Sequence, residues 1–117
     1  MPENELQALA ARLRAFAAER GWERTDSAKN LAIAVMVEAG ELLEHFQWLT
    51  AEESGGLAPE KRSQVEQEMA DVLIFLVRLA DTLGVDLLAA ADAKIAINAR
   101  KYPAEKARGR AVKYDEL

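Results

Sequence analysis

Residues 30–48 read NLAIAVMVEAGELLEHFQW, and the fold turns on their spacing. No strand-like alternation of two runs through them; the apolar positions recur at helical intervals. On a wheel of about 100° per residue, Leu31, Val35, Leu42, Phe46 and Leu49 share one side. Met36 and Leu43 lie well away from that side, and Ile33 lies further still. Glu38, Glu41 and Glu44 follow at steps of three inside this apolar run. Like charges on neighbouring turns repel one another and resist burial. They mark either a solvated edge or the seat of a bound cation.

Outward from this helix, glycine and proline punctuate the chain at Pro2, Gly21, Gly55-Gly56, Pro59, Gly84, Pro103 and Gly109. Four helices fit between the marks. The first is expected from about Glu3 to Glu19, with Leu6, Leu9, Leu13 and Phe16 facing inward. The second is expected from a Ser27 N-cap to about Leu49. The third follows Pro59 and stops before Gly84. The fourth starts from Asp86 as N-cap and stops before Pro103, because a residue preceding proline is driven out of the helical region. Residues 110–117 are left as a C-terminal tail. The expected fold is all-α, a four-helix-bundle-like protomer in a single domain spanning 1–117. The third helix places Leu76, Leu79 and Leu83 on one side and Leu73, Ile74 and Val77 on another. A helix apolar on more than one face needs more than one partner surface, so a homo-oligomer is expected.

Bulk composition narrows the functional classes. The 117 residues are 50% hydrophobic and 30% charged, an ordinary globular balance. Cysteine is absent, which excludes disulfides and thiolate metal sites and suits a reducing cytoplasm. The N-terminal MPENELQAL lacks the basic-then-apolar pattern of a signal peptide, and no apolar run reaches the ~18 residues a membrane span needs. A net charge of −5 without a basic stripe argues against a nucleic-acid polymer as partner. A small anionic ligand remains compatible if a cation mediates.

The third helix carries a second acidic pair, Glu68 and Asp71 in EMADVLIF. Side chains three apart on a helix point the same way, so Glu38/Glu41 and Glu68/Asp71 each form a two-carboxylate pair. Facing each other on adjacent antiparallel helices, the pairs offer four hard oxygen donors, suited to Mg²⁺. A single such pair usually belongs to a solvated surface. Two pairs, each embedded in an apolar helix, favour the metal. Ferritin-like di-iron chemistry is disfavoured because it uses Glu-x-x-His pairs, and the only histidine, His45, has no second histidine to join it.

With these residues in order, the chain resembles the MazG-like all-α nucleoside triphosphate pyrophosphohydrolases, and within them the dCTP pyrophosphatase branch. The resemblance rests on Glu38-x-x-Glu41 followed by Glu68-x-x-Asp71, together with FAAERGWE (16–23), NLAIAVMVEAGELLEHFQW (30–48), EMADVLIFLVRLA (68–80), KIAINARKYP (94–103) and KYDEL (113–117). It implies hydrolysis between the α and β phosphates to a nucleoside monophosphate and pyrophosphate. It further implies Mg²⁺ on Glu38, Glu41, Glu68 and Asp71, a dimer or dimer-of-dimers tetramer, and a role in cleaning the nucleotide pool.

Lys94, Asn98 and Lys101 share one face of the fourth helix, where they would otherwise be read as solvated. Beside an acidic metal site they supply what outer phosphates need, and the resemblance puts Lys94, Asn98 and Tyr102 at the ligand. Lys29 and Asn30 could serve phosphate or sugar similarly, the resemblance being clearest for Asn30. A base needs a flat apolar slot. Trp48 falls about 80° from Glu38 on the wheel, Phe75 follows Glu68 by two turns, and Trp22 stands just beyond the first helix; both tryptophans match the family's base-stacking positions. The chain departs from its relatives in three places. Val37 stands where many have a further glutamate proposed as general base, leaving the base unassigned. Asp26 replaces a histidine of some relatives, and Phe75 replaces a tyrosine. Two other readings stay open: the same reaction on dUTP or mixed dNTPs, and a non-catalytic oligomerisation module holding a structural divalent ion.

Overall fold

The caps written into the sequence set the helix boundaries. The computed structural model describes residues 2–117 and is all-α, with no strand among them. Helix α1 runs Glu5–Glu19 from an Asn4 cap that exchanges hydrogen bonds with Gln7. The 3-10 turn Trp22–Arg24 follows Gly21, whose φ of 68° suits a residue without Cβ. Helix α2 runs Ala28–Glu44, its first turn capped by the Ser27 hydroxyl, which accepts from the Asn30 N–H. A single turn, α3 (Ala51–Ser54), carries its own Thr50/Glu53 capping box. Helix α4 runs Pro59–Leu83, with proline at its first position and Gly84 at φ 69° ending it. Helix α5 runs Leu87–Lys101 from the Asp86 cap, and α6 is the short turn Ala104–Ala107.

The expected boundaries of α4 and α5 hold to within a residue, whereas α2 stops earlier than expected. It ends at Glu44, not near Leu49, and residues 45–48 continue as turns. Here the backbone bonds shorten, with the His45 and Phe46 N–H groups reaching back to Leu42 and Leu43. Nothing in the side-chain pattern breaks at this point, which is why periodicity overran it.

The chain divides after Val85 into two compact units, Met1–Val85 and Asp86–Leu117. In the first, α2 packs along α4, and α1 packs on α4 as well. Three side-chain contacts give the direction of the α2–α4 pair. Asp26 meets Arg78, Glu38 lies beside Glu68, and His45 meets Lys61, so numbers rise along one helix as they fall along the other. The helices are antiparallel, as the carboxylate reading required.

The core is small. Leu31 and Val77 are nearly inaccessible, and Ala10, Ala17, Val65 and Ala80 complete the buried set; no polar residue is fully buried among those described. The expected inner side of α2 is borne out, with Leu31 buried and Val35, Leu42, Phe46 and Leu49 half-buried. On α1 the closest packing falls on Ala10 and Ala17, while Phe16 stays exposed with Trp22 edge-on to its ring and the Arg20 guanidinium 3.5 Å above it. Two apolar stripes remain in the open: Ile33, Met36, Val37 and Leu43 on α2, and Met69, Leu73, Leu76 and Leu83 on α4.

In the second unit α5 is exposed from Leu88 to Lys101. The expected tail is ordered, because the 3-10 turn Tyr114–Glu116 sets the Tyr114 ring edge-on to Tyr102 and Arg110 donates to the Glu116 carbonyl. Among the described residues, no helix is long and apolar enough to cross a membrane.

Candidate functional site

The groove between α2 and α4 collects carboxylates. Glu38, Glu41 and Glu68 each offer an oxygen within 4.8 Å of the others. Glu38 and Glu68 are half-buried and Glu41 is exposed. The Oε2 atoms of Glu38 and Glu68 are out of reach of water and have no hydrogen-bond partner. An ionised carboxylate oxygen left in that state costs free energy that a proton or a cation removes.

Burial of the Glu38 carboxyl, its close approach to Glu41 and Glu68, and the charges of Glu41 and Asp71 together push its pKa up to about 7. A proton on the Glu38 carboxyl relieves the repulsion among the three groups, which is why its pKa is raised. The same three oxygens would accept a hard divalent cation in that proton's place. Three of the four residues expected to hold a metal therefore converge. Asp71 is half-buried, and its charge reaches Glu38, but it stands outside the tight cluster.

The aromatic positions are less gathered. Because α2 ends at Glu44, Trp48 projects from a turn instead of from the helix face that the wheel assigned it, and it is 87% exposed. A single indole so bare makes one wall of a slot and needs a second. Trp22 is about half exposed on its 3-10 turn, held edge-on to Phe16 at 5.8 Å. Phe75 is half-buried on α4. The Asn30 amide donates to the Thr25 carbonyl at 2.7 Å, which fixes its orientation at the start of α2, and Lys29 beside it is exposed. Glu44 is exposed and stays out of the carboxylate cluster.

In the second unit Lys94 and Asn98 are exposed on α5. Lys101 places its ammonium 4.7 Å from the centre of the Tyr114 ring, an occupation not expected from its helical spacing. Tyr102 caps α5, half-buried.

Two contacts went unread in the sequence. Arg78 donates to Asp26 at 2.7 Å, tying α4 to the start of α2, and Lys61 meets His45 Nδ1 at 3.1 Å across the other end of the pair. Arg78 was visible as a lone cation in the apolar run FLVRLA, but no local pattern names a partner 52 residues away.

A model of the MazG-like family matches residues 33–117 of the chain. The human (Homo sapiens) protein dCTP pyrophosphatase 1 is 45% identical over 118 residues, covering 99% of this chain and 69% of its own length. The Bos taurus protein of the same name is 46% identical, covering 87% of this chain and 62% of its own length. Among solved structures, a pyrophosphatase from Archaeoglobus fulgidus superposes with a TM-score of 0.80 at 36% identity, covering 88% of this chain and 96% of its own.

Proposed function

Because the chain belongs to the MazG-like family, we propose that it is a nucleoside triphosphate pyrophosphatase that hydrolyses dCTP or a base-modified dCTP to the monophosphate and pyrophosphate. The observation that carries this reading is the Glu38/Glu41/Glu68 cluster with its two unpartnered buried oxygens, in a chain so similar to dCTP pyrophosphatase 1. The donor set fits Mg²⁺: all the ligating atoms are hard carboxylate oxygens. Glu38, Glu41 and Glu68 would hold the ion, with Asp71 as a fourth carboxylate beside them. When bound, such an ion offsets the charge of the triphosphate and polarises the phosphorus under attack.

The rest of the chemistry belongs to the chain's own side chains. Without a cation, the clustered carboxylates repel a polyanion, so binding of nucleotide and cation should be coupled. The raised pKa of Glu38 favours a proton on its carboxyl in the metal-free protein, and a cation taking the cluster would displace it. Trp48, Trp22 and Phe75 provide flat apolar surface for the base and Asn30 a fixed amide for the sugar or phosphates; the sequence resemblance alone assigns Lys94, Asn98 and Tyr102, on the second unit, to the outer phosphates. The general base is left unassigned.

The same reading includes self-association. The exposed stripes on α2 and α4, with α5 exposed along its length, leave more apolar surface open than a small monomer usually carries. An isolated helix of 15 residues is marginal in water, so α5 calls for a covered face. A homodimer or dimer-of-dimers tetramer would cover these surfaces and could supply the second wall that Trp48 lacks. A cytoplasmic enzyme that cleans the nucleotide pool, acting on free nucleotides and not on nucleic acid or membranes, completes the proposal.

The test is incubation of the protein with each canonical dNTP and with 5-methyl-dCTP, with and without Mg²⁺, followed by ion-exchange chromatography. Monophosphate plus pyrophosphate, formed only with Mg²⁺ and fastest from cytosine nucleotides, is the expected result. Release of single phosphates, or no turnover, overturns it.

A further inference from the structure

The α4 face that carries Glu68 and Asp71 continues through Phe75 to Arg78, at steps of three, four and three. Opposite it, Asn30 and Glu38 share the α2 face with Glu41, and Asp26 stands one residue before the Ser27 cap. Arg78 Nη2 donates to Asp26 Oδ2 at 2.7 Å. The two side chains are only 12% and 24% exposed, in contrast to the Arg14–Asp81 pair, whose arginine is 62% exposed. The Arg78–Asp26 bond therefore closes one end of the groove, with the carboxylates between it and the His45–Lys61 contact at the other end. Seven to ten residues separate Arg78 from Asp71 and Glu68, which at 1.5 Å per residue is about 10–15 Å of helix.

We propose that Arg78 is a positioning residue for the nucleotide pocket: through Asp26 it holds the 22–30 segment, with Trp22 and Asn30, against the α4 face that bears Glu68 and Phe75. This rests on the function proposed above. The segment is stiff within itself. Thr25 and Asp26 donate their N–H groups to the Trp22 carbonyl, and Asn30 bonds the Thr25 carbonyl. A force applied at Asp26 is therefore felt at both Trp22 and Asn30. The segment also packs against α1. Towards α1 the pair borders a hollow of about 200 Å³ lined by Arg14, Ala17, Glu23, Asp81 and Thr82, so no filled apolar layer backs the bond. With Arg78 gone, the Asp26 carboxylate loses its partner in a poorly solvated position and the segment loses its tie to α4.

The experiment compares the parent protein with Arg78→Met, Arg78→Lys and the near-isosteric Asp26→Asn, the last serving if Arg78→Met does not fold. Steady-state kinetics with dCTP and Mg²⁺ should show KM raised about fivefold or more at a kcat within about twofold for Arg78→Met, with Arg78→Lys recovering much of the loss. Acrylamide quenching of Trp22, in a Trp48→Phe background where it is the sole tryptophan, should rise in Arg78→Met and Asp26→Asn when measured well below each variant's thermal midpoint, where the fold is intact. Unaltered KM together with unaltered quenching overturns the proposal. If the parent turns over no nucleotide, the proposed reaction fails, and the quenching comparison alone decides whether Arg78 positions the segment.

Discussion

Replacing Glu38 by glutamine should make the metal-free protein more stable at pH 8 while removing its affinity for the cation. The carboxyl has a pKa of about 7 in the folded protein against an ordinary 4.5, raised first by burial and then by Glu41, Glu68 and Asp71. Below about pH 4.5 it is protonated in both the folded and unfolded chain. Between 4.5 and 7 the folded protein keeps a proton that the unfolded chain has lost. Stability supplied by that proton is thus fully present below the unfolded value and is lost as pH rises through about 7. At about 1.4 kcal/mol per unit the shift caps the effect at ~3 kcal/mol, and solvent around the half-exposed cluster should reduce it to about 1–2 kcal/mol. Urea unfolding at pH 5 and pH 8 in EDTA measures it directly. The parent should lose this amount over the interval and Glu38→Gln should not. Saturating Mg²⁺ should abolish the parent's loss and leave Glu38→Gln unaffected. Parallel pH profiles for the two proteins would refute the carboxylate-cluster argument.

Glu41→Gln and Asp71→Asn should each lower turnover by well over about tenfold, as loss of a metal ligand usually does; activity within twofold of the parent would remove that residue from the ligand set, and Asp71, outside the tight cluster, is the sharper test. Trp48→Ala should raise KM for dCTP at little cost in kcat, and an unchanged KM would dismiss it from the base slot. Gly40 lies within α2 between Val37 and Leu43, and a Cβ there meets nothing within 4 Å. In a free protomer Gly40→Ala should therefore stabilise by ~0.5–1 kcal/mol through helix propensity alone. If a second copy packs closely on this stripe, the substitution should instead weaken association, read as a shift toward protomer in sedimentation velocity. Stabilisation without any change in association state would take Gly40 out of the interface.

Most of the fold was legible because its punctuation is chemical. Pro59, Gly84, Asp86 and Pro103 each act through their own backbone or side chain, and α4 and α5 begin and end where they dictate. The end of α2 carries no such mark: Leu42, Phe46 and Leu49 stay half-buried through a series of turns, so a wheel built on ideal geometry carried the helix past Glu44 to Trp48, which stands on a turn. The acidic pairs could be read for a related reason. Carboxylates embedded in apolar helices are costly without compensation, and three of the four meet in one place. What remained hidden was the long-range pairing. Arg78 and Asp26, or Lys61 and His45, find each other only through the antiparallel register of α2 on α4, which local spacing does not encode.

That register joins the parts of the groove. Each helix in the pair places an apolar residue in the core, Leu31 and Val77, near the end at which Arg78 reaches Asp26. Each then turns acidic about two to two and a half helical turns further on, where Glu38 and Glu68 lie side by side. That is about 11–14 Å of helix, so the packed end can hold the carboxylates at a fixed separation without sharing their electrostatic strain. A shift of one residue between the helices would separate both contacts at once. Buried Leu31 and Val77, with the Arg78–Asp26 ion pair at the same end, therefore stabilise the fold and also keep three mutually repelling carboxylates within reach of one cation.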